Sequence, residues 1–158
     1  MCPNQSAPAD LIIVDCDEAK QKPQIAEFVD LVDQTAGAGG ILHQNQFQDA
    51  AFVKYWSNSM IAVLDELKDD FKFLFFGTEL VSLHGRELTG KFLSEMGLRT
   101  TEDTIRQLNA NVIENRTPIF SSGRVNIMHE DFKKWWHVKL PFERNDGIPS
   151  TLTYVVFQ

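Results

Sequence analysis

The sequence predicts an α+β domain: a five-stranded antiparallel sheet with helices covering one face, and further helices at its N-terminal end. Three observations carry this. Apolar residues recur at helical spacing over 23–33 and 101–115. Strand-like runs occupy 61–67, 71–76, 119–128, 133–142 and 150–157. Short polar turns join the strands within each group, which suits hairpins and not the long crossovers of a parallel sheet. A sheet with an apolar face must be covered, and the helices between the second and third strands are the cover at hand.

The elements follow in order. Residues 1–22, with Pro3 and Pro8, read as a partly disordered leader in which Leu11 to Val14 form a loosely docked strand; residues 23–158 form one domain. Pro23 sits where a first helical residue belongs, because its missing N–H costs nothing there. Ile25, Phe28, Val29 and Val32 make the apolar stripe of that helix, which stops in Ala36-Gly37-Ala38-Gly39-Gly40. A second helix is expected over Gln48 to Trp56, with Phe52 and Trp56 on one face and Phe47, Ala51 and Tyr55 on another. The hairpin follows, Ile61 to Leu67 and Phe71 to Phe76 around Lys68-Asp69-Asp70. Lys72 between Phe71 and Phe73 implies that Phe71, Phe73 and Phe75 share the buried face. Thr78 is expected to cap a short helix that Gly85 stops in a left-handed conformation. Glu102 and Asp103 complement the positive end of the next helix, whose inner stripe is Ile105, Leu108, Val112 and Ile113. The last three strands turn at His129-Glu130-Asp131 and at Asn145-Asp146-Gly147.

Composition narrows the roles. Hydrophobic residues make up 43% of the 158 and charged residues 23%, ordinary for a folded domain. Twelve Phe and three Trp against two Tyr give large apolar area with few polar handles. That suits a tightly packed interior or a pocket for a mostly apolar guest. A net charge of −7, with scattered Lys and Arg, argues against nucleic acid and against an anionic membrane surface. Cys2 and Cys16 lack metal-site or disulfide spacing, the N-terminus lacks a basic signal region, and no apolar run spans a bilayer. A cytoplasmic protein is expected.

The segment Phe71-Lys72-Phe73 leading to Gly77-Thr78, then Gly85-Arg86-Glu87-Leu88-Thr89-Gly90-Lys91, resembles the PAS superfamily, and within it the short single-domain PAS proteins of proteobacteria. Leu140-Pro141-Phe142 and Asp146-Gly147 match its two terminal strands, and weaker agreement reaches back through Ile41-Leu42-His43 and Phe47. Two prolines usual in that group, near His43 and after Phe47, are missing, and Leu74 stands where a basic residue is common. The resemblance implies a bacterial sensory or regulatory domain that binds a small molecule, or acts through a homodimer or signalling partner. It leaves the ligand and any cofactor unnamed.

No catalytic constellation is legible: no phosphate-cradling loop, no nucleophile elbow, no raised-pKa carboxylate pair, and no paired ligand spacing among His43, His84, His129 and His137. The resemblance makes haem unexpected, because the helix before the last three strands carries no His. It also makes a flavin–cysteinyl adduct unexpected, because no Cys follows Cys16. Strand alternation puts Trp136 and Tyr154 inward, so the candidate pocket is Phe73, Phe75, His84, Trp136 and Tyr154. His84 has a second reading, a hydrogen bond at its helix C-terminus, and Tyr154 a second one, a bond to a backbone carbonyl. Trp135 then faces outward with His137 and Lys139, making Trp135 and Phe28 the candidate interface, capped either by this chain's own first helix or by a second copy. Two rival readings stand beside the sensory one: a ligand-free interaction module with a filled core, and a small α+β cavity enzyme such as an isomerase.

Overall fold

The computed structural model describes residues 11–97, 101–127 and 130–157. The expected leader residues 1–10, Cys2 among them, and Met128 and His129 at the turn before the sixth strand lie outside these. The elements are β1 (Leu11–Val14), α1 (Cys16–Ala19), α2 (Pro23–Ala36), β2 (Leu42–His43), α3 (Gln44–Phe47), α4 (Val53–Trp56), β3 (Ser59–Asp65), β4 (Asp70–Phe76), α5 (Thr78–His84), α6 (Glu102–Asn115), β5 (Ile119–Ile127), β6 (Glu130–Glu143) and β7 (Ser150–Phe157). The sheet order is β1-β5-β6-β7-β3-β4, with β2 running parallel to the end of β6 and every other pairing antiparallel. The five-stranded antiparallel sheet is therefore present as β4-β3-β7-β6-β5, and β1 and β2 extend its margin.

α2 buries Ile25, Phe28, Val29 and Val32, the stripe expected of it. In place of the single helix expected over Gln48 to Trp56 there are a 3-10 turn at Ala50–Phe52 and α4, preceded by the separate short helix α3. The cause is side-chain competition for backbone groups. His43 Nδ1 accepts from the Asn45 N–H and Gln46 Oε1 from the His43 N–H. Asp49 Oδ1 then accepts from the Ala51 N–H and starts a new turn. The breaks swing Phe47, Phe52 and Tyr55 onto one buried wall, where the sequence read two faces.

The β3–β4 hairpin forms where expected, but its register shifts between Ile61 and Ala62: Ala62 pairs with Phe73 and Ile61 with Phe75. Leu74 is the extra residue of a β-bulge, and one extra residue reverses the alternation beyond it. Phe71, Phe73 and Phe76 consequently share a buried face, while Phe75 is half-buried on the opposite one with Ile61. The expected Phe71–Phe73–Phe75 face is corrected to Phe71–Phe73–Phe76.

Gly77 starts α5, and Thr78 makes no side-chain cap. A Cβ at Gly77 would stand 2.3 Å from the Ser57 carbonyl oxygen and 2.4 Å from that of Trp56, so only glycine fits. Gly85 ends α5 in the left-handed region (φ 90°), as read from the sequence. The Glu87-Leu88-Thr89-Gly90-Lys91 turn is tied back onto β4. Glu87 Oε1 accepts from both the Thr89 N–H and its hydroxyl, and Gly90 turns with φ 85°. The Gly90 N–H then donates to the Phe73 carbonyl, and the Phe73 N–H to that of Lys91. Part of the open edge of β4 is thereby covered, with Leu88 fully buried beneath the turn.

The sheet is covered on both faces. On one, α1 to α4 pack on Phe120, Trp136, Val138, Leu140, Leu152, Tyr154 and Val156. On the other, α5, a 3-10 turn at Leu93–Glu95 and α6 pack on Ala62, Phe71, Phe73, Phe76 and Val155. A charged clamp pins this second layer. Asp70 Oδ1 lies 2.9 Å from Arg106 of α6, and Asp70 Oδ2 accepts from Ser94 at 2.6 Å. Burial works against the Asp70 carboxylate, yet Ser94, the Phe71 N–H and Arg106 together hold its pKa below the usual carboxylate value.

Candidate functional site

The α6 face of the sheet carries a strip of polar side chains where a covered sheet ordinarily shows hydrocarbon. Strand register builds it: Ser121 stands opposite His137, Lys139 opposite Thr153, and Pro141 opposite Thr151. Each of these side chains points to the face of Ala62 and Phe73, and α6 adds Asn109 from above. Ser121, His137, Lys139, Thr151, Thr153 and Asn109 are all buried. An apolar wall of Phe71, Phe73, Phe76, Leu80, Leu88, Leu93 and Val155 continues along the same face.

The hydrogen bonds inside the strip are few. Ser121 Oγ lies 3.0 Å from Nδ1 and 2.8 Å from Nε2 of His137. Lys139 Nζ donates to Thr153 Oγ1 at 2.9 Å, and the Thr151 hydroxyl donates to Asn109 Oδ1 at 3.4 Å. The Trp135 ring stacks on His137, centroids 4.5 Å apart and planes 18° apart. Among the described residues no carboxylate lies within ion-pair distance of Lys139, which is only 4% exposed. Burial alone pushes the Lys139 amine down to about 7. Burial first, and then the Lys139 charge, holds the His137 imidazole well below its usual value, so at neutral pH His137 is neutral. The strip is thus a set of neutral hydroxyl, amide and imidazole dipoles around one amine that has no counter-ion.

The structure divides the pocket residues expected from sequence. Phe73 lies on the α6 face, its ring edge-on to Phe76 at 5.6 Å. His84 closes α5 against the same Phe76 ring at 6.3 Å, and its buried Nδ1 has no hydrogen-bond partner. Burial and the Arg86 charge lower the His84 pKa against a backbone hydrogen bond at Met96. Trp136 and Tyr154 sit on the opposite face, under α2, and Phe75 shares that side. Trp136 lies between Lys22 and Lys134, 5.3 and 4.8 Å from its ring centroid, with Nε1 buried and unpaired. Tyr154 stacks on Phe28, and burial, with Tyr55 and Glu27 nearby, pushes its phenol up to about 12. Trp135 of the expected interface is half-buried on the α6 face beside His137. Phe28, its companion, is 0% exposed inside this chain.

The six strip residues escaped the sequence reading because alternation says which residues share a face and leaves open which face meets what. His137 and Lys139 read as an outer face capped by the first helix or by a second copy, whereas α6 lies over it. The usable signal was in the partner strands. Thr151 and Thr153 fall in the same phase as His137 and Lys139, no acid appears among them, and Asn109 interrupts the stripe of α6.

Two open clefts flank the sheet. One, about 380 Å³, lies between α2, α5 and β7 and is lined by Gln24, Asn58, Glu79, Ser82 and Val155 among others. Val155 sits on the same face as Thr153, two residues along β7. The other cleft, about 570 Å³, runs from Leu64 and Lys72 to Arg144 and Ile148. Among the described residues no group of His, Cys, Asp and Glu is arranged to hold a metal ion, and no helix is long and apolar enough to cross a membrane.

The chain is similar in structure to the PAS domain of BvgS from Bordetella pertussis, with 13% identity over 84% of this chain and 87% of that one and a TM-score of 0.49. It is also similar to a sensory box sensor histidine kinase from Vibrio cholerae, with 12% identity, 89% and 92% coverage, and a TM-score of 0.46. No protein-family model and no curated protein matches the chain.

Proposed function

We propose that this chain is a PAS-type sensory or regulatory domain that works by binding, and that it receives a small molecule in the layer between the polar strip and α6. The observation that carries this reading is Lys139, a buried amine with one hydrogen-bond partner and no counter-ion among the described residues. Burying a charge without a partner is costly, and a fold built only for packing favours an apolar residue there. Hydrocarbon with a few convergent polar groups is the usual lining of a small-molecule site, and this layer has that make-up. Occupancy is transmitted through α6, which touches the strip at Asn109 and is clamped to β4 by Arg106. From there the signal passes to a second copy or a partner protein.

A second reading, an interaction module without a ligand, is supported by the full burial of Leu88 and Leu93 in the same layer. The cavity-enzyme reading fares less well: His137 and Lys139 supply bases, but the buried carboxylate among the described residues, Asp70, is committed to Arg106. Native mass spectrometry of the protein purified from cells separates the first two. A mass above the bare chain under native conditions, lost on denaturation, supports the sensory reading. A bare-chain mass in both states favours the interaction module.

A further inference from the structure

We infer that the ligand class is a monoanionic carboxylate with an apolar body, its head on Lys139 and Thr153 and its body along the neighbouring hydrocarbon wall. This rests on the reading that the strip is a binding layer, and it names what the layer selects.

The register sets out the geometry. Lys139 stands opposite Thr153, Thr153 opposite Met60, and Met60 opposite Phe76, so one row crosses four strands on a single face. The row starts polar at β6 and β7 and ends apolar at β3 and β4. With strands about 4.8 Å apart, polar head and aromatic wall are separated by on the order of 10–15 Å, the length of an aromatic or medium-chain acid. The 380 Å³ cleft reaches Val155 beside this row.

Charge selects the head group. An ammonium carries three donors, and among the described residues Lys139 uses one, in its bond to Thr153. A carboxylate takes the remaining donors and supplies the missing counter-ion, forming charge-assisted hydrogen bonds in a site closed to water. Phosphate fits less well. The strip has no arginine fork, and Glu102 and Asp103 already occupy the N-terminal turn of α6. The remaining strip groups, Ser121, His137, Thr151 and Asn109, are neutral dipoles that match a single negative charge and do not balance two. Trp135, stacked on His137, closes the β6 side with an aromatic face.

The test uses matched probes on the full chain: hexanoate against hexanamide, and benzoate against benzamide, by calorimetry and by backbone amide NMR. At least one acid should bind tenfold or more tightly than its amide, with chemical shifts concentrated at Ser121, His137 and Thr153. Lys139→Met should abolish that preference while circular dichroism shows an unchanged fold. Equal binding of acid and amide to the wild-type chain, or a preference that survives Lys139→Met, overturns the carboxylate assignment. If a neutral probe shifts the strip residues as strongly as any acid, the binding layer stands and the anion fails. If no probe moves them and the native mass is that of the bare chain, both fail. The comparison of acid with amide in the wild-type chain decides the matter even should the variant not fold.

Discussion

The rings of Phe28 and Tyr154 stack with centroids 4.6 Å apart and planes 27° apart, which makes α2 part of the core and not an appendage. Tyr55 meets both rings edge-on, at 5.1 and 5.2 Å, so three elements close on one aromatic knot. Phe28→Ala should therefore cost about 3–5 kcal/mol, the usual range for emptying a buried Phe site. Urea unfolding followed by fluorescence measures it. A loss under 1 kcal/mol would place α2 outside the cooperative core. Because Phe28 is inaccessible, light scattering should show the same oligomeric state for this variant and the parent.

The bulge at Leu74 makes a paired prediction about adjacent rings. Phe76→Ala should cost about 3–5 kcal/mol and Phe75→Ala markedly less, since Phe76 is buried and Phe75 half-exposed to its side of the sheet. The reverse ranking in denaturant melts would restore the unbulged register in which Phe75 faces inward.

That bulge also marks where sequence reading stops. The helices at Pro23 and Glu102, the hairpin, the left-handed stop at Gly85 and the strand Ser150 to Phe157 announce themselves through local chemistry: proline at a helix start, a dense turn, glycine at a helix end. The candidate site does not, because three of its determinants are non-local. An inserted residue reversed the phase of Phe75. α2 from one side and α6 from the other buried both faces, so polarity ceased to mark solvent. Lys139 joins the polar strip only through Thr153, a residue of the next strand, and through the helix above it. Phe73 and His84 lie on the α6 face, joined through Phe76, whereas Trp136 and Tyr154 lie on the α2 face, so the expected pocket residues fall in two layers.

Gly77 is required by close approach, and its φ of −63° is open to any residue. Gly77→Ala should destabilise by about 1–3 kcal/mol, because the added methyl meets the backbone carbonyls of Trp56 and Ser57, which cannot swing aside. Thermal melts check this, and a neutral result would show that α4 yields.

The Asp70–Arg106–Ser94 clamp should be worth about 2–3 kcal/mol, read from Asp70→Asn in chemical denaturation. The folded pKa of Asp70 is depressed, so its contribution is present above the ordinary carboxylate range and disappears as pH falls through the folded value. The variant and the parent should accordingly converge in stability at strongly acidic pH. A constant gap between them would remove ionisation from the clamp.

For Lys139 the sign is opposite to that of a paired lysine. Its folded pKa of about 7 lies below the ordinary 10.5, so between these values the unfolded chain binds more protons and stability rises with pH. His137, also depressed, adds a rise in the same direction below its ordinary 6.5. Tyr154 reverses the trend above pH 10, where the unfolded phenol ionises and the folded one, held near 12, does not. The melting temperature should climb from pH 7 to 9.5, and Lys139→Met should flatten that climb. A parent curve already flat across this interval would mean that Lys139 is charged and paired in the fold.

β7 lies between β6 and β3, and without it the sheet falls into two separate pieces: the β3–β4 hairpin, and β5 with β6, β1 and β2. Its pairing with β3 joins Ser59 to Tyr154 and Val63 to Ser150, contacts between segments far apart along the chain. Folding therefore cannot proceed by simple zipping from one end. Both halves must wait for the last strand to insert between them, a topology whose search time is on the order of milliseconds to seconds. Until then the inner edges of β3 and β6 stand unpaired, which makes the interval before insertion the period when the chain is most exposed to aggregation. Stopped-flow refolding, with Thr151 and Thr153 replaced in turn, measures how early that strand arrives.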